Sequence, residues 1–180
     1  SVSGRKEDFD IDKLILDLKV KSEHISSHIL ENEIFTTKKG LRFFNGHYDN
    51  LENKIGGEKN GSIMMDLTSQ VIPIISNVSN KKMSAEVYEA IKKVLKDEDS
   101  PGIRLTSEFK EIDMNVGRIT GFVYGYKEHG SKWVQQNIML AYGLYKQGLV
   151  TQGNEIMQEV YEIANNTEKA QIFPGIPSYF

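Results

Sequence analysis

A long stretch without regular hydrophobic spacing interrupts an otherwise helical sequence, and this interruption limits the folds that the chain can adopt. Residues 99–132 contain five glycines and no sustained period. Irregular connections of this length in compact domains are usually either functional or disordered, and the aromatic side chains of this one argue against disorder. The sequence therefore predicts helices arranged around an ordered connection that carries function.

Helical spacing begins near the start of the chain. Apolar residues three and four positions apart predict one long amphipathic helix from Phe9 to Leu30. A short helix is expected further on, capped by Thr68 or Ser69 and running through Ile75. Pro73 is expected in the first turn of that short helix, where its missing N–H costs little.

Three more segments return to helical spacing. Ser84 is expected to open a helix that ends at the acidic run before Ser100–Pro101. After the irregular connection, the spacing over 133–147 predicts a helix that Gly148 stops. A partner helix is expected to begin at residue 153 or 154 and to end at 163. The chain would thus contain two helical hairpins, one on each side of the connection.

Two short β-prone runs lie between the first and second predicted helices. Leu41–Phe44 and Ile63–Met65 are separated by sequence rich in Gly and Asn. We expect them to pair with each other in a small hairpin, with Gly56–Gly61 as its flexible tip. Asp49 suits a turn in this region, and Asp66 suits a helix cap.

Together these elements predict a mainly α fold with a small β-hairpin. Two helical hairpins with a glycine-rich excursion before the second favour an α/α architecture, in which inner helices surround a funnel and loops at one end build the site. With 180 residues, the chain could bury a substantial core only if these elements close on one another.

Composition argues against several classes of function. The net charge is −3, and lysines and arginines are scattered among acids, which disfavours nucleic-acid binding. The chain has no cysteine, so no disulfide is expected. His24 and His28 are four residues apart on the first predicted helix, but no third metal ligand accompanies them, so no metal site is expected either. No apolar run approaches the roughly 18 residues of a membrane span, and residues 1–10 do not resemble a signal peptide. A soluble, cytoplasmic protein is therefore expected.

The segment from Asp113 to Asn137 carries the residues best suited to bind a ligand. Its four glycines let the backbone turn tightly, and aromatic, carboxylate and amide side chains stand between and after them. A sugar presents C–H faces and a ring of hydroxyls, so its pocket needs aromatic platforms beside groups that accept and donate hydrogen bonds. The candidate substrate-binding residues are Tyr124, Glu128, His129, Lys132, Trp133, Gln135 and Gln136.

Most of these candidates also have a plainer interpretation. Glu128 could be a solvated loop carboxylate, as most glutamates are. Trp133 and the tyrosines could be packing groups, and Gln135 and Gln136 could be surface amides at the start of a helix. The residue pattern alone leaves these alternatives open.

The same segment resembles a known family. Its spacing of Asp, Val, Gly, Ile and Glu ahead of a helix is similar to that of the glycoside phosphorylases of glycoside hydrolase family 94. The matching positions are Asp113, Val116, Gly117, Ile119, Gly121, Gly125, Glu128 and Gly130. Residues 44–50, 66–70 and 100–106 resemble further stretches of that family, so the resemblance covers most of the chain. The runs KEHGSKW, QQN and IFPGIPSYF are similar to the branch that phosphorolyses β-1,2-linked oligoglucans, with cyclic β-1,2-glucan synthases as relatives.

The resemblance implies part of an (α/α)6-barrel catalytic domain. In that family, inorganic phosphate attacks the anomeric carbon with inversion while one aspartic acid protonates the leaving oxygen, and no further cofactor takes part. The family's Asp-Trp-Asn motif, which supplies the acid, is absent here and is expected upstream of Ser1. The family's Thr-Gly phosphate contact is expected beyond Phe180. Residues 1–180 are therefore expected to be an internal segment of one domain, incomplete at both ends, without a catalytic residue of its own and inactive in isolation.

The resemblance also assigns individual positions. Glu128 matches a family glutamate that hydrogen-bonds sugar hydroxyls. Gln135 stands where other members place a phosphate-binding histidine, and Phe122 stands where some relatives have a tyrosine near the sugar, so both depart from the commoner pattern. The expected partners are a β-glucan oligosaccharide, phosphate and the rest of the domain. Two alternatives remain: a non-catalytic helical module that binds carbohydrate or forms homo-oligomers, and a glucan hydrolase or transferase on the same barrel.

Overall fold

Helices are the main elements of the computed structural model, which describes residue 4 and residues 6–59, 61–98 and 100–165. The helices are α1 (Ile11–Asn32), α2 (Leu67–Ile75), α3 (Lys81–Leu95), α4 (Val134–Lys146) and α5 (Val150–Asn165), with one 3-10 turn at Arg118–Gly121. The strands are β1 (Ile34–Thr36), β2 (Arg42–Phe44), β3 (Gly57–Lys59) and β4 (Ser62–Met64). The expected fold class, mainly α with a small β component, is confirmed.

The strands form two antiparallel hairpins rather than the single hairpin expected. In the first, β1 pairs with β2 and Ile34 lies opposite Phe44. In the second, β3 pairs with β4 and Gly57 lies opposite Met64. Each β-prone run thus pairs with a nearer segment, because closing a short loop costs less entropy than closing a long one. The predicted pairing of 41–44 with 63–65 is therefore wrong, and part of the predicted flexible tip is a strand.

Helices α2 to α5 and strand β2 enclose the hydrophobic core. Helix α4 packs between α2 and α5, and β2 lies against α2 and α3. The fully buried core side chains include Phe43, Val71, Ile74, Val87, Ile91, Leu140, Leu144 and Ile156. The predicted α4–α5 hairpin is confirmed, although α5 begins at Val150 and not at residue 153 or 154. The two long hydrophobic faces that meet in this hairpin supply much of the burial that stabilises the chain.

Helix α2 begins at an aspartate, as the alternative role of Asp66 anticipated. The Asp66 carboxylate accepts a hydrogen bond from the Ser69 N–H at 2.8 Å, so the cap precedes the predicted Thr68 or Ser69. Pro73 is buried in the interior of this helix and not in its first turn. The proline therefore removes one backbone hydrogen bond from α2, a loss that its burial in the core offsets.

Helix α3 also begins earlier than expected. Asn80 is its cap and accepts from the Met83 N–H at 3.0 Å, whereas Ser84 is buried and its hydroxyl lies 2.6 Å from that of Ser79. At the end of α4, Gly148 takes a left-handed conformation and the Leu149 N–H donates to the Leu144 carbonyl at 2.8 Å, which confirms the predicted stop.

Two buried amide side chains attach irregular segments to helices. The Gln70 side chain of α2 pairs with both backbone groups of Phe44, at 2.8 and 2.9 Å. The Asn137 side chain of α4 pairs in the same way with Ile103, at 2.7 and 3.1 Å. These paired hydrogen bonds fix the end of β2 and the start of the irregular connection relative to the two helices.

The predicted amphipathic helix is present as α1, but its apolar stripe has no partner among the described residues. None of its side chains is buried, and the stripe residues Ile11, Leu14, Ile15, Leu18 and Ile25 are 41–63% exposed. Ile29 is the apolar residue of α1 that packs against the core.

The long connection between α3 and α4 is irregular, as predicted. Apart from the 3-10 turn, single β-bridges such as Asp66 to Thr106 and Lys96 to Ile103 hold it in place. None of the helices in the described ranges combines the length and the apolar character that a membrane span needs. The expected extended tail over 173–177 lies outside the described residues.

Candidate functional site

A cavity of about 280 Å³ lies where four segments of the chain meet. These segments are the connection after β2, the start of α2, the irregular connection and the start of α4. The lining residues are His47, Asp66, Thr68, Leu105, Thr106, Arg118, Ile119, Glu128, Trp133 and Gln136. Three of the seven predicted site residues, Glu128, Trp133 and Gln136, are therefore brought together in one cavity.

Glu128 lines this cavity, and one of its two carboxylate oxygens is unpaired. Its Oε1 accepts a hydrogen bond from the Arg118 guanidinium, whereas its Oε2 is buried without a hydrogen-bond partner among the described residues. A hydrogen bond from its own backbone lowers the pKa of Glu128, and Arg118 and Lys127 add to this effect against the opposing effect of burial. The side chain is thus a carboxylate at neutral pH and can accept a hydrogen bond from a ligand.

Trp133 and Gln136, at the start of α4, also line the cavity. The Trp133 N–H donates to the Ser131 hydroxyl at 2.8 Å, which fixes the plane of the indole ring. The Oε1 of Gln136 is buried and, like Glu128 Oε2, has no partner within the described part of the chain. Two residues that each carry an unsatisfied buried acceptor therefore line the cavity together with the aromatic Trp133.

A tight turn positions Glu128. The Gly125 N–H donates to the His129 carbonyl at 2.7 Å, and the His129 N–H donates to the Tyr126 carbonyl at 3.1 Å. Gly130 has a φ of +77°, and a Cβ at this position would lie 2.2 Å from the Tyr124 ring. Glycine is required there for both reasons, and the turn it permits places Glu128 at the cavity.

His129 and Tyr124 use their polar atoms within the protein. The buried His129 ring accepts from the Phe109 N–H at 2.9 Å through Nε2, so its other nitrogen must donate to the Phe122 carbonyl, 2.6 Å away. The Tyr124 hydroxyl donates to the Thr106 carbonyl at 3.3 Å. Both residues support the turn that carries Glu128 and do not line the cavity.

Lys132 is an anchor of the irregular connection. The residue is 4% exposed, and its ammonium contacts Asp97 at 3.1 Å and the carbonyls of Ser100 and Pro101 at 3.1 and 3.0 Å. Burial lowers the pKa of Lys132, and the hydrogen bond and charge of Asp97 oppose that shift. Gln135, by contrast, is exposed on α4 and lies outside the lining of the cavity.

Arg118, His47 and Asp66 line the cavity and were not among the predicted site residues. Arg118 follows Gly117, whose φ of +100° starts the 3-10 turn, and this turn directs the guanidinium to Glu128. The Nε2 of His47 lies 3.5 Å from Asp66 Oδ1. Arg118 is the single arginine of the glycine-rich segment, which is a sequence signal for a role in the site. Nothing in the local sequence indicates that His47 and Asp66 lie together.

A second cavity of about 220 Å³ adjoins the first and shares His47, Asp66, Thr106 and Ile119 with it. Its remaining lining is mainly apolar and includes Tyr48, Ile55, Met64, Phe109 and Val116. Within the described ranges, no group of three or more His, Cys, Asp or Glu residues is arranged to hold a metal ion.

The first cavity offers acceptors, donors and an aromatic face within a small volume. The carboxylate of Glu128 and the amide of Gln136 can accept hydrogen bonds, Arg118 and His47 can donate them, and Trp133 offers a flat apolar surface. This combination suits a compact ligand with many hydroxyl groups and apolar C–H faces.

Comparison with known protein families agrees with this chemistry. The model of the family described as "Glycosyl hydrolase 94 superfamily, catalytic domain" matches residues 17–175, which is most of the chain. A search of curated proteins gave no match.

Proposed function

The chain belongs to the glycosyl hydrolase 94 superfamily, and from this premise we propose that it is an internal segment of the (α/α)6-barrel catalytic domain of an inverting glycoside phosphorylase. Membership of the family implies an activity of the glycoside hydrolase or phosphorylase type in carbohydrate metabolism. The proposed substrates are β-linked glucooligosaccharides, with β-1,2 linkages preferred, and inorganic phosphate. The proposed product is glucose 1-phosphate, formed in the cytoplasm.

The observation that carries this proposal is the pair of unsatisfied acceptors. Glu128 Oε2 and Gln136 Oε1 are buried without a donor among the described residues, and both residues line the cavity that Trp133 also lines. A buried acceptor without a donor is unfavourable, so the site is completed by a ligand that brings hydroxyl donors. A hexose satisfies both acceptors and can stack a C–H face on the indole.

The proposed roles follow from the positions of the seven candidate residues. Glu128, Gln136 and Trp133 contact the sugar. His129, Tyr124 and Lys132 support the site through the internal hydrogen bonds that fix the turn and the connection. Gln135 faces solvent on α4, where the remainder of the domain and phosphate would approach it.

The proposed reaction needs groups from the rest of the domain. A phosphate oxygen attacks the anomeric carbon, the glycosidic C–O bond breaks, and a general acid outside these 180 residues transfers its proton to the leaving oxygen. The contribution of this chain is to bind and orient the sugar, which can account for a large part of the rate enhancement of such enzymes.

The exposed stripe of α1 favours a second candidate function. Its uncovered apolar residues would also suit a non-catalytic module that associates with other copies or binds carbohydrate without turnover. A glucan hydrolase or transferase on the same barrel would share the sugar site but would not require phosphate as the acceptor.

A product assay separates these candidates. The complete parent protein is incubated with β-1,2-glucooligosaccharides, with and without phosphate, and glucose 1-phosphate and free glucose are measured. We expect glucose 1-phosphate only when phosphate is present, and no turnover by the isolated 180-residue chain. The β-1,3- and β-1,4-linked oligosaccharides serve as linkage controls and are expected to react more slowly. Release of glucose without phosphate would identify a hydrolase, and binding without any product would identify a non-catalytic module.

A further inference from the structure

We propose that His47, held by Asp66, is a further binding residue of the cavity that Glu128 lines, and that its Nδ1 hydrogen-bonds a hydroxyl group of the bound sugar. This inference rests on the proposed function and adds a residue to the same site. His47 lies on the connection after β2, 81 positions before Glu128 in the sequence, and both residues line the cavity of about 280 Å³.

The backbone before His47 is pressed against the first turn of α2. A Cβ at Gly46 would lie 1.6 Å from the Ser69 hydroxyl oxygen and 3.2 Å from the Ser69 Cα, so glycine is required at this position. The hydrogen bonds between Gln70, the next residue of α2, and Phe44 hold the end of β2 just ahead of this position. His47 is therefore placed beside the start of α2 by a fixed backbone.

The partner of His47 is itself held by several hydrogen bonds. Asp66 accepts hydrogen bonds from the N–H and the hydroxyl of Ser69, and its backbone bridges to Thr106. Because the carboxylate is fixed by the helix that it caps, the 3.5 Å contact between Asp66 Oδ1 and His47 Nε2 orients the imidazole ring. Asp66 thus acts as a positioning residue.

The second ring nitrogen of His47 is available to a ligand. The side chain is 59% exposed, and its Nδ1 has no hydrogen-bond partner among the described residues. The hydrogen bond and the charge of Asp66 raise the pKa of His47 although burial opposes them, which favours the imidazolium form. The other charged groups that line the cavity, Arg118 and Glu128, are paired with each other. An imidazolium donates a charge-assisted hydrogen bond from Nδ1 to a sugar oxygen.

Steady-state phosphorolysis by the complete parent protein tests this inference. In His47→Gln, the amide takes the place of Nε2 and keeps the contact to Asp66, whereas the group at Nδ1 is lost. We expect KM for the oligosaccharide to rise about 3- to 10-fold, because one hydrogen bond to the sugar is lost. His47→Asn keeps a polar group near the Nδ1 position and is expected to show a smaller rise. His24→Gln, an exposed histidine on α1, is the matched control and is expected to leave KM unchanged.

The pH dependence of KM distinguishes binding from a structural role. In the wild type, KM is expected to rise as the pH rises through the pKa of His47, because the charged donor is lost, and this limb should be missing in His47→Gln. A His47→Gln protein with wild-type KM and the same pH profile would overturn the inference while the proposed function stands. If the parent forms no glucose 1-phosphate, the proposed function fails and the inference fails with it. If His47→Gln does not fold, the pH profile of His47→Asn decides: the rise of KM with pH should be missing there, and a wild-type profile would overturn the inference.

Discussion

Asp97 fixes the start of the irregular connection through two cations. Its carboxylate contacts the Arg104 guanidinium at 2.6 Å and the buried Lys132 ammonium at 3.1 Å. Burial acts to raise the pKa of Asp97, but the hydrogen bonds and charges of Arg104 and Lys132 outweigh it and lower the pKa to about 2. This cluster joins the end of α3 to the segment that enters α4, so it holds the turn that carries Glu128 relative to both helices.

We therefore expect Asp97→Asn to destabilise the chain by about 2–4 kcal/mol, because it leaves a buried ammonium without its counter-ion. Urea unfolding of the 180-residue chain measures this loss. Asp17→Asn removes an exposed ion pair with Lys21 on α1 and is the matched control, with an expected cost below about 0.5 kcal/mol. Equal stability of the two variants would show that the cluster does not hold the connection.

The same aspartate predicts how the stability depends on pH. Its pKa falls from 3.8 in the unfolded chain to about 2 in the folded one, so the folded state favours the ionised form. The stabilisation is present above the unfolded pKa and is lost as the pH falls from about 4 to about 2. Asp97→Asn should lack this part of the acid unfolding curve, which parallel urea titrations at pH 5, 4 and 3 would reveal. An identical decline in both proteins would contradict the assignment.

Gly130 offers a second test at the scale of single residues. Gly130→Ala introduces a Cβ at a φ of +77° that would lie 2.2 Å from the Tyr124 ring, whereas Gly40→Ala introduces one at +80° with no atom within 4 Å. Both variants carry a backbone cost of roughly 1–2 kcal/mol, and overpacking should add about 1–3 kcal/mol to Gly130→Ala alone. The difference in unfolding free energy between the variants measures the clash. No difference would mean that the turn carrying Glu128 is not packed as described.

The local half of the site was predictable from the sequence. Glu128, Trp133 and Gln136 lie within nine residues of one another, so a single glycine-rich segment signals all three. His47 and Asp66 reach the cavity from a distant part of the chain, and one sequence carries no signal for such pairings. Whether His129 points inward or outward could not be predicted either, because an irregular segment has no period that defines a buried face.

At the scale of elements, the helices were predictable because their hydrophobic spacing is local. Their first residues were less so, since several neighbouring polar residues can cap a helix and packing selects one, as it selects Asp66 over Ser69. Strands β2 and β4 overlap the two runs recognised as β-prone, whereas β1 and β3 were not predicted. The predicted pairing was wrong, because three-residue strands contain too little pattern to define a partner.

The stripe of α1 gives a prediction at this scale. The double variant Leu14→Gln/Leu18→Gln should change the stability of the isolated chain by less than about 0.5 kcal/mol, because both side chains are exposed. Leu140→Ala, in the core, should cost about 2–5 kcal/mol and serves as the positive control.

In the complete parent protein, the same double variant should lower the melting temperature clearly, because we propose that the rest of the barrel covers the stripe. A parent protein whose melting temperature is unchanged would show that the stripe is free there too. Sedimentation of the isolated chain tests the alternative of self-association. An oligomer that dissociates in the Leu14→Gln/Leu18→Gln variant would favour the non-catalytic, self-associating module.

At the scale of the whole molecule, the cavity exists because four segments of the chain converge on it. The segment after β2, the start of α2 and the irregular connection contribute to the lining in addition to α4. Two buried amides and the Asp97 cluster hold these stretches in place. The proposed (α/α)6 barrel would add further walls, and a catalytic acid and phosphate site supplied by it would convert the proposed sugar-binding cavity into an active site.

The most direct measurement of the central claim is kcat/KM for phosphorolysis by Glu128→Gln in the complete parent protein, with the melting temperature recorded in parallel. The variant keeps the shape of the side chain and removes its charge. We expect kcat/KM to fall about 10- to 100-fold, because a hydrogen bond to a charged acceptor is lost. The melting temperature should stay near that of the wild type. Unchanged kcat/KM together with a large drop in melting temperature would show that Glu128 stabilises the fold and does not bind the sugar.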